Sequence, residues 1–210
     1  MSLGTKFFLS ALLLAVGAYA GFTGFRIWQK ANTEVYDPKR SLNMTPERPL
    51  ADFQFTERSG KNVRLTDLAG KIVVVNFFFA TCPGSCRQFT STIAGLQEDF
   101  KNDADVRFVS VTVDPAKDTP ESLKKYAADY GADADRWWFV TAPLAETQEL
   151  GRSLKVTVLG MNHTDEMILI DRNGVIRGTY DHKDPQKLAK FKIDLRELLK
   201  VQPGMNRDAE

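Results

Sequence analysis

Apolar and polar positions along the chain fall into three regimes. From Phe7 to Phe25 no residue is charged; Lys6 precedes the run and Arg26 ends it. A helix of these nineteen residues rises about 28 Å, close to the ~30 Å hydrocarbon core of a bilayer, so the run predicts one N-terminal transmembrane helix. A cleaved signal peptide ending at Ala18-Tyr19-Ala20 is the rival reading, but the apolar run continues beyond that site. Residues 1–28 therefore read as a membrane anchor. Residues 29–49 are polar and interrupted by Pro38, Pro46 and Pro49, as expected of a linker. The third regime, residues 50–202, alternates strand-like and helix-like patterns, and residues 203–210 form a polar tail.

Within the third regime, Asp52 to Phe55 and Asn62 to Leu65 alternate apolar and polar residues around Ser59-Gly60, which predicts a β-hairpin. Ile72 to Phe79 is an almost unbroken β-branched and aromatic run, the pattern of a strand covered on both faces. Cys86, Phe89, Ile93, Leu96 and Phe100 then recur at spacings of three and four, one face of a helix. Val106 to Val113 predicts a second buried strand. Thr119, Pro120 and Glu121 are a helix start, with a capping hydroxyl, a first-turn proline and an acid facing the dipole. That helix is expected to stop at Gly131. A strand over Trp137 to Val140, a helix over Leu144 to Gly151, a hairpin turning at Arg172-Asn173-Gly174 and a helix from Pro185 to Val201 complete the order. Alternating β and α with a closing antiparallel pair predicts an α/β fold of thioredoxin-like plan, a central mixed sheet flanked by helices.

Charge narrows the function. With 28 basic and 27 acidic residues the net charge is +1, which excludes a nucleic-acid binder relying on a basic excess. The two cysteines, in Thr81-Cys82-Pro83-Gly84-Ser85-Cys86, close too short a loop for a disulfide between them to remove much unfolded-state freedom. They therefore read as chemical residues. At the end of a buried strand and the start of a helix, backbone N–H groups and the dipole are expected to lower thiol pKa values. Positions i and i+4 also lie on one helical face, so both sulfurs can address a single ion.

Two histidines are present. His163 sits in a loop leading into a strand, a common place for function, whereas His182 between Asp181 and Lys183 reads as a surface residue. Two thiolates and an imidazole make a soft set suited to Cu(I), or to Cu(II) with added oxygen; zinc would normally take a fourth ligand. Met161 and Asp114 are candidate further contacts, although Met161 reads as loop packing and Asp114, before Pro115, as a turn residue.

These residues resemble the Sco/SenC family of copper chaperones for cytochrome c oxidase assembly, over roughly residues 50 to 200. The resemblance is carried by Phe77 to Cys86, Phe108 to Pro115, Asp118-Thr119-Pro120, and His163 ahead of Ile168 to Gly174. It implies Cys82, Cys86 and His163 as copper ligands and an inner-membrane anchor, with the domain in the periplasm or mitochondrial intermembrane space. It also implies, as partners, the copper-bearing subunit of cytochrome c oxidase and other copper chaperones or thiol reductases. Gly84, Ser85 and Arg87 stand where the family usually has an acidic residue, a valine and a proline, and Asn162 stands where Asp is common. These differences remove negative charge or add positive charge near the metal position. A membrane-anchored thiol-disulfide oxidoreductase using Cys82 and Cys86 as a redox pair is the alternative function. A peroxidase fits poorly, because Thr81 directly precedes Cys82 rather than standing three positions before it. A non-catalytic assembly module is the remaining class.

Overall fold

The computed structural model describes residues 52–82, 84–158 and 164–201, together with 19, 22 and 23. The chain divides into two units, Met1–Asp37 and Pro38–Glu210, and the second carries the fold described below. Most of the expected transmembrane run, the linker and the tail lie outside the described residues. Among the described residues no helix is long and apolar enough to cross a membrane.

The elements in order are β1 (Gln54–Glu57), β2 (Asn62–Arg64), a 3-10 turn (Leu65–Leu68), β3 (Ile72–Phe78), α1 (Ser85–Asp99), β4 (Val106–Thr112), α2 (Pro120–Asp129), β5 (Trp137–Thr141), α3 (Leu144–Ser153), β6 (Glu166–Ile170), β7 (Ile176–Asp181) and α4 (Pro185–Lys200). The strands form one mixed sheet of order β2-β1-β5-β4-β3-β6-β7. Its β3-β4 and β4-β5 pairs are parallel, while β1-β2, β1-β5, β3-β6 and β6-β7 are antiparallel. Every residue of β3 is buried, as its unbroken apolar run required.

The expected hairpin is present, but its first strand starts two residues later than the alternation suggested. Gly60, at φ +82°, takes the left-handed turn position, and its N–H donates to the Glu57 carbonyl. Thr119 caps α2 by accepting the Ser122 N–H at 3.3 Å, and Asp184 caps α4 by accepting the N–H of Gln186 at 2.8 Å. Parallel neighbours β3 and β4 bring their C-terminal ends to one edge, and residues 79–84 lead from there into α1.

Two hydrogen bonds between buried side chains link three neighbouring strands. The Trp137 indole N–H donates to the Ser110 hydroxyl at 2.9 Å, and that hydroxyl donates to the Asn76 side-chain oxygen at 2.7 Å. All three residues are 1% exposed or less, so no water can substitute. Ser110→Ala should therefore leave two buried groups unpaired and cost about 1–3 kcal/mol of stability. Denaturant unfolding of the variant checks this; a loss well below 1 kcal/mol would mean that the network adds nothing.

Candidate functional site

The two cysteines meet at the C-terminal edge of the sheet, by a different route from one helical face. Helix α1 begins only at Ser85, so Cys86 lies in its first turn while Cys82 lies in the preceding loop. The Cys82 N–H donates to the Phe79 carbonyl at 3.2 Å, folding that loop back on the end of β3. Gly84 opens α1 at φ −130° and ψ −111°, with no side-chain cap. This irregular entry lets a loop sulfur reach a first-turn sulfur, and the thiols lie within hydrogen-bonding distance of each other. Both are reduced in this structure.

A buried carboxylate holds the loop. Asp118 is 1% exposed, and its Oδ2 accepts the Ala80 N–H at 3.0 Å and the Thr112 hydroxyl at 2.5 Å. The carboxylate thus ties the residue after Phe79 to the last residue of β4. Burial pushes its pKa up, against both of those hydrogen bonds. On the helix side, Thr90 donates to the Cys86 carbonyl at 2.9 Å and shares a 2.9 Å hydrogen bond with the Tyr126 hydroxyl.

Burial also decides the state of Cys86. Its thiol is fully enclosed, and desolvation pushes its pKa up to about 12, with a hydrogen bond to the Phe79 backbone pulling the other way. The Cys82 thiol and the negative charge of Asp165 raise it further. The expectation that the helix start lowers the Cys86 pKa is therefore corrected. The dipole is a partial charge felt within one turn, and removing a sulfur anion from water outweighs it here. Cys82 keeps 8% exposure.

His163 and Met161 lie outside the described residues, and so does Pro83. What is described is each flank of that loop. Val156 and Val158 are buried on its N-terminal side, and a Cβ at Gly151 of α3 would stand 2.7 Å from the Val158 side chain, so the glycine permits that approach. On the other side, the negative charge of Asp165, two residues after His163, acts on the Cys86 thiol. Asp114 behaves as a turn residue: its carbonyl accepts the N–H groups of Lys117 and Asp118 at 3.1 and 2.9 Å.

His182 departs from the sequence reading. It is buried, with its ring stacked on Phe89 of α1 at 4.2 Å and 4°. Its flanking charges gave the look of a solvated turn, and no periodic signal marked the ring as internal. Asp118 was equally silent as a tether, because the helix-start pattern around it accounts for its presence without any contact to the cysteine loop.

The sequence profile described as SCO1/SenC matches residues 43–196. The SCO1 protein homolog of Bacillus subtilis (strain 168) is 34% identical over 146 residues, covering 61% of this chain and 76% of the relative. Among solved structures, BsSco, described as a member of the Sco family of cytochrome c oxidase assembly proteins with a disulfide switch, is 28% identical at a TM-score of 0.64. That match covers 76% of this chain and all of the other. The copper-bound ScoI of Bradyrhizobium japonicum is 25% identical at a TM-score of 0.57, covering 70% and 99%. With the thioredoxin-like sheet, the cysteine pair at its edge and a profile that spans most of the chain, this protein belongs to the SCO1/SenC family.

Proposed function

We propose that the domain binds one copper ion through Cys82, Cys86 and His163 and delivers it to the dinuclear copper site of a cytochrome c oxidase subunit. The observation that carries this reading is the contact between two buried thiols beside Asp165, two residues after His163. Two sulfurs and one imidazole form a soft donor set that suits Cu(I), and with added oxygen ligands Cu(II). Copper held in the Bradyrhizobium ScoI, and the oxidase-assembly family to which BsSco is assigned, support the same reading.

The chain's own residues divide the work. Asp118 and Thr90 hold the loop and the first turn of α1, so the sulfurs are placed before any ion arrives. Because burial keeps Cys86 protonated, loading must release its proton, and the cation then offsets the cost of the buried anion. Cys86 is wholly enclosed while Cys82 is 8% exposed, so ligand exchange with a partner begins at Cys82. Exposed Arg87 presents positive charge at this edge, which favours an acidic partner surface over capture of a free cation. Other copper chaperones or thiol reductases would use the same edge to load or reduce the pair.

The contact between thiols also favours a second reading, exchange of the Cys82–Cys86 pair with a partner disulfide. There, forming the bond passes two electrons and two protons to the partner. Its signature is a reduction potential in the range of exchange enzymes, about −120 to −270 mV, without a requirement for His163. For the copper reading, the reduced protein should bind one copper ion with thiolate-to-metal absorption, and His163→Ala should weaken binding by at least about tenfold. Equal affinity in His163→Ala would remove the three-ligand site, and an exchange-range potential alongside it would leave the redox reading in its place.

The apolar run from Phe7 to Phe25 anchors this domain in the inner membrane, in this proposal, with the thiols in the periplasm or the mitochondrial intermembrane space. Fractionation tests it. The full chain should sediment with membranes and a chain lacking residues 1–28 should not; a full chain that stays in the supernatant would exclude the anchor.

A further inference from the structure

His182 is chemically out of place where it lies. Its side chain is fully enclosed, and among the described residues neither ring nitrogen makes a hydrogen bond. Burial lowers its pKa, so at neutral pH the ring is an uncharged imidazole with one N–H donor and one acceptor. A phenyl ring would give the same stack on Phe89 without burying two unpaired nitrogens, each of which costs stability. Packing alone thus does not account for the imidazole.

Its surroundings do. One face of the ring lies flat on Phe89, three residues after Cys86 on α1. Nε2 points at Asp165 and stands 3.6 Å from Oδ1, just beyond hydrogen-bond length. The His182 backbone N–H donates to the Asp165 carbonyl at 3.1 Å, and neighbouring Lys183 grips the other carboxylate oxygen at 2.5 Å. The end of β7 therefore holds Asp165 by main chain and side chain, and the same residue leans on the cysteine helix.

We propose that His182 is a positioning residue that fixes the distance between the Cys86 turn of α1 and Asp165 at the entry to β6. Asp165 follows His163 by two residues, so this spacing sets where the chain after His163 enters β6 relative to Cys86. Closure of the Nε2–Oδ1 gap to a hydrogen bond would draw Asp165 toward α1. The inference rests on the copper reading only for its metal arm.

The test uses the full chain with His182→Phe, which keeps the stack and removes the nitrogens, and His182→Gln, which restores an N–H donor. In the reduced, metal-free protein, amide exchange at Asp165 and Glu166 should quicken in His182→Phe and return toward the parent in His182→Gln, although His182→Phe, relieved of two buried unpaired nitrogens, should melt no lower than the parent. Titrated with copper, His182→Phe should bind about fivefold or more weakly and shift the thiolate-to-copper absorption, a coupling of ordinary size between sites. Unchanged exchange and unchanged copper affinity in His182→Phe would make His182 a core filler and overturn the proposal. So would a His182→Gln that behaves as His182→Phe does. If His182→Phe fails to fold, His182→Gln against His182→Ala reads the same question. If the parent itself takes up no copper, the copper reading fails and the exchange arm alone decides the positioning role.

Discussion

One buried carboxylate sets the geometry on which the site depends. Asp118 sits just before α2, yet its Oδ2 binds the Ala80 N–H ahead of the cysteines and the Thr112 hydroxyl at the end of β4. Those two hydrogen bonds act beside the backbone bonds from Val113 to Phe78 and from Cys82 to Phe79, which also fix the exit of β3. Cys82 folds back toward Phe79, and Cys86 lies in the first turn of α1 inside the core. The sheet beneath supplies the rigidity, since β3 is buried throughout and the side-chain oxygen of its polar Asn76 accepts from Ser110 of β4.

Burial then decides the chemistry. A helix start ordinarily favours thiolates, but Cys86 is so deeply placed that it keeps its proton, with a pKa pushed up to about 12. A protonated Cys86 against Cys82, away from water, is quiet by itself. The pair becomes reactive when something compensates the anion, either a soft cation or a partner disulfide that takes the electrons. Both proposed activities start from this resting state, and the slight exposure of Cys82 gives each of them an entrance.

How much of this was legible in the sequence differs by element. Ile72 to Phe79 announced the central strand through composition alone, and Thr119-Pro120 announced the start of α2 through cap chemistry, because both signals are local. The cysteine pair was legible by spacing, but its geometry was not. Cys82 lies outside α1, because the helix begins at Ser85 after an irregular Gly84, and no pattern of apolar residues marks that entry. His182 and Asp118 were illegible for a related reason. Each acts on residues distant in sequence, Phe89 and Asp165 for one and Ala80 and Thr112 for the other, and local pattern carries no record of such contacts.

The central claim is that a buried sulfur pair and a loop imidazole converge on one copper ion. X-ray absorption of the copper-loaded, reduced protein reads the coordination shell directly. The account predicts two sulfur ligands and one imidazole nitrogen per copper. A shell with a single sulfur, or with oxygen and nitrogen alone, would contradict it.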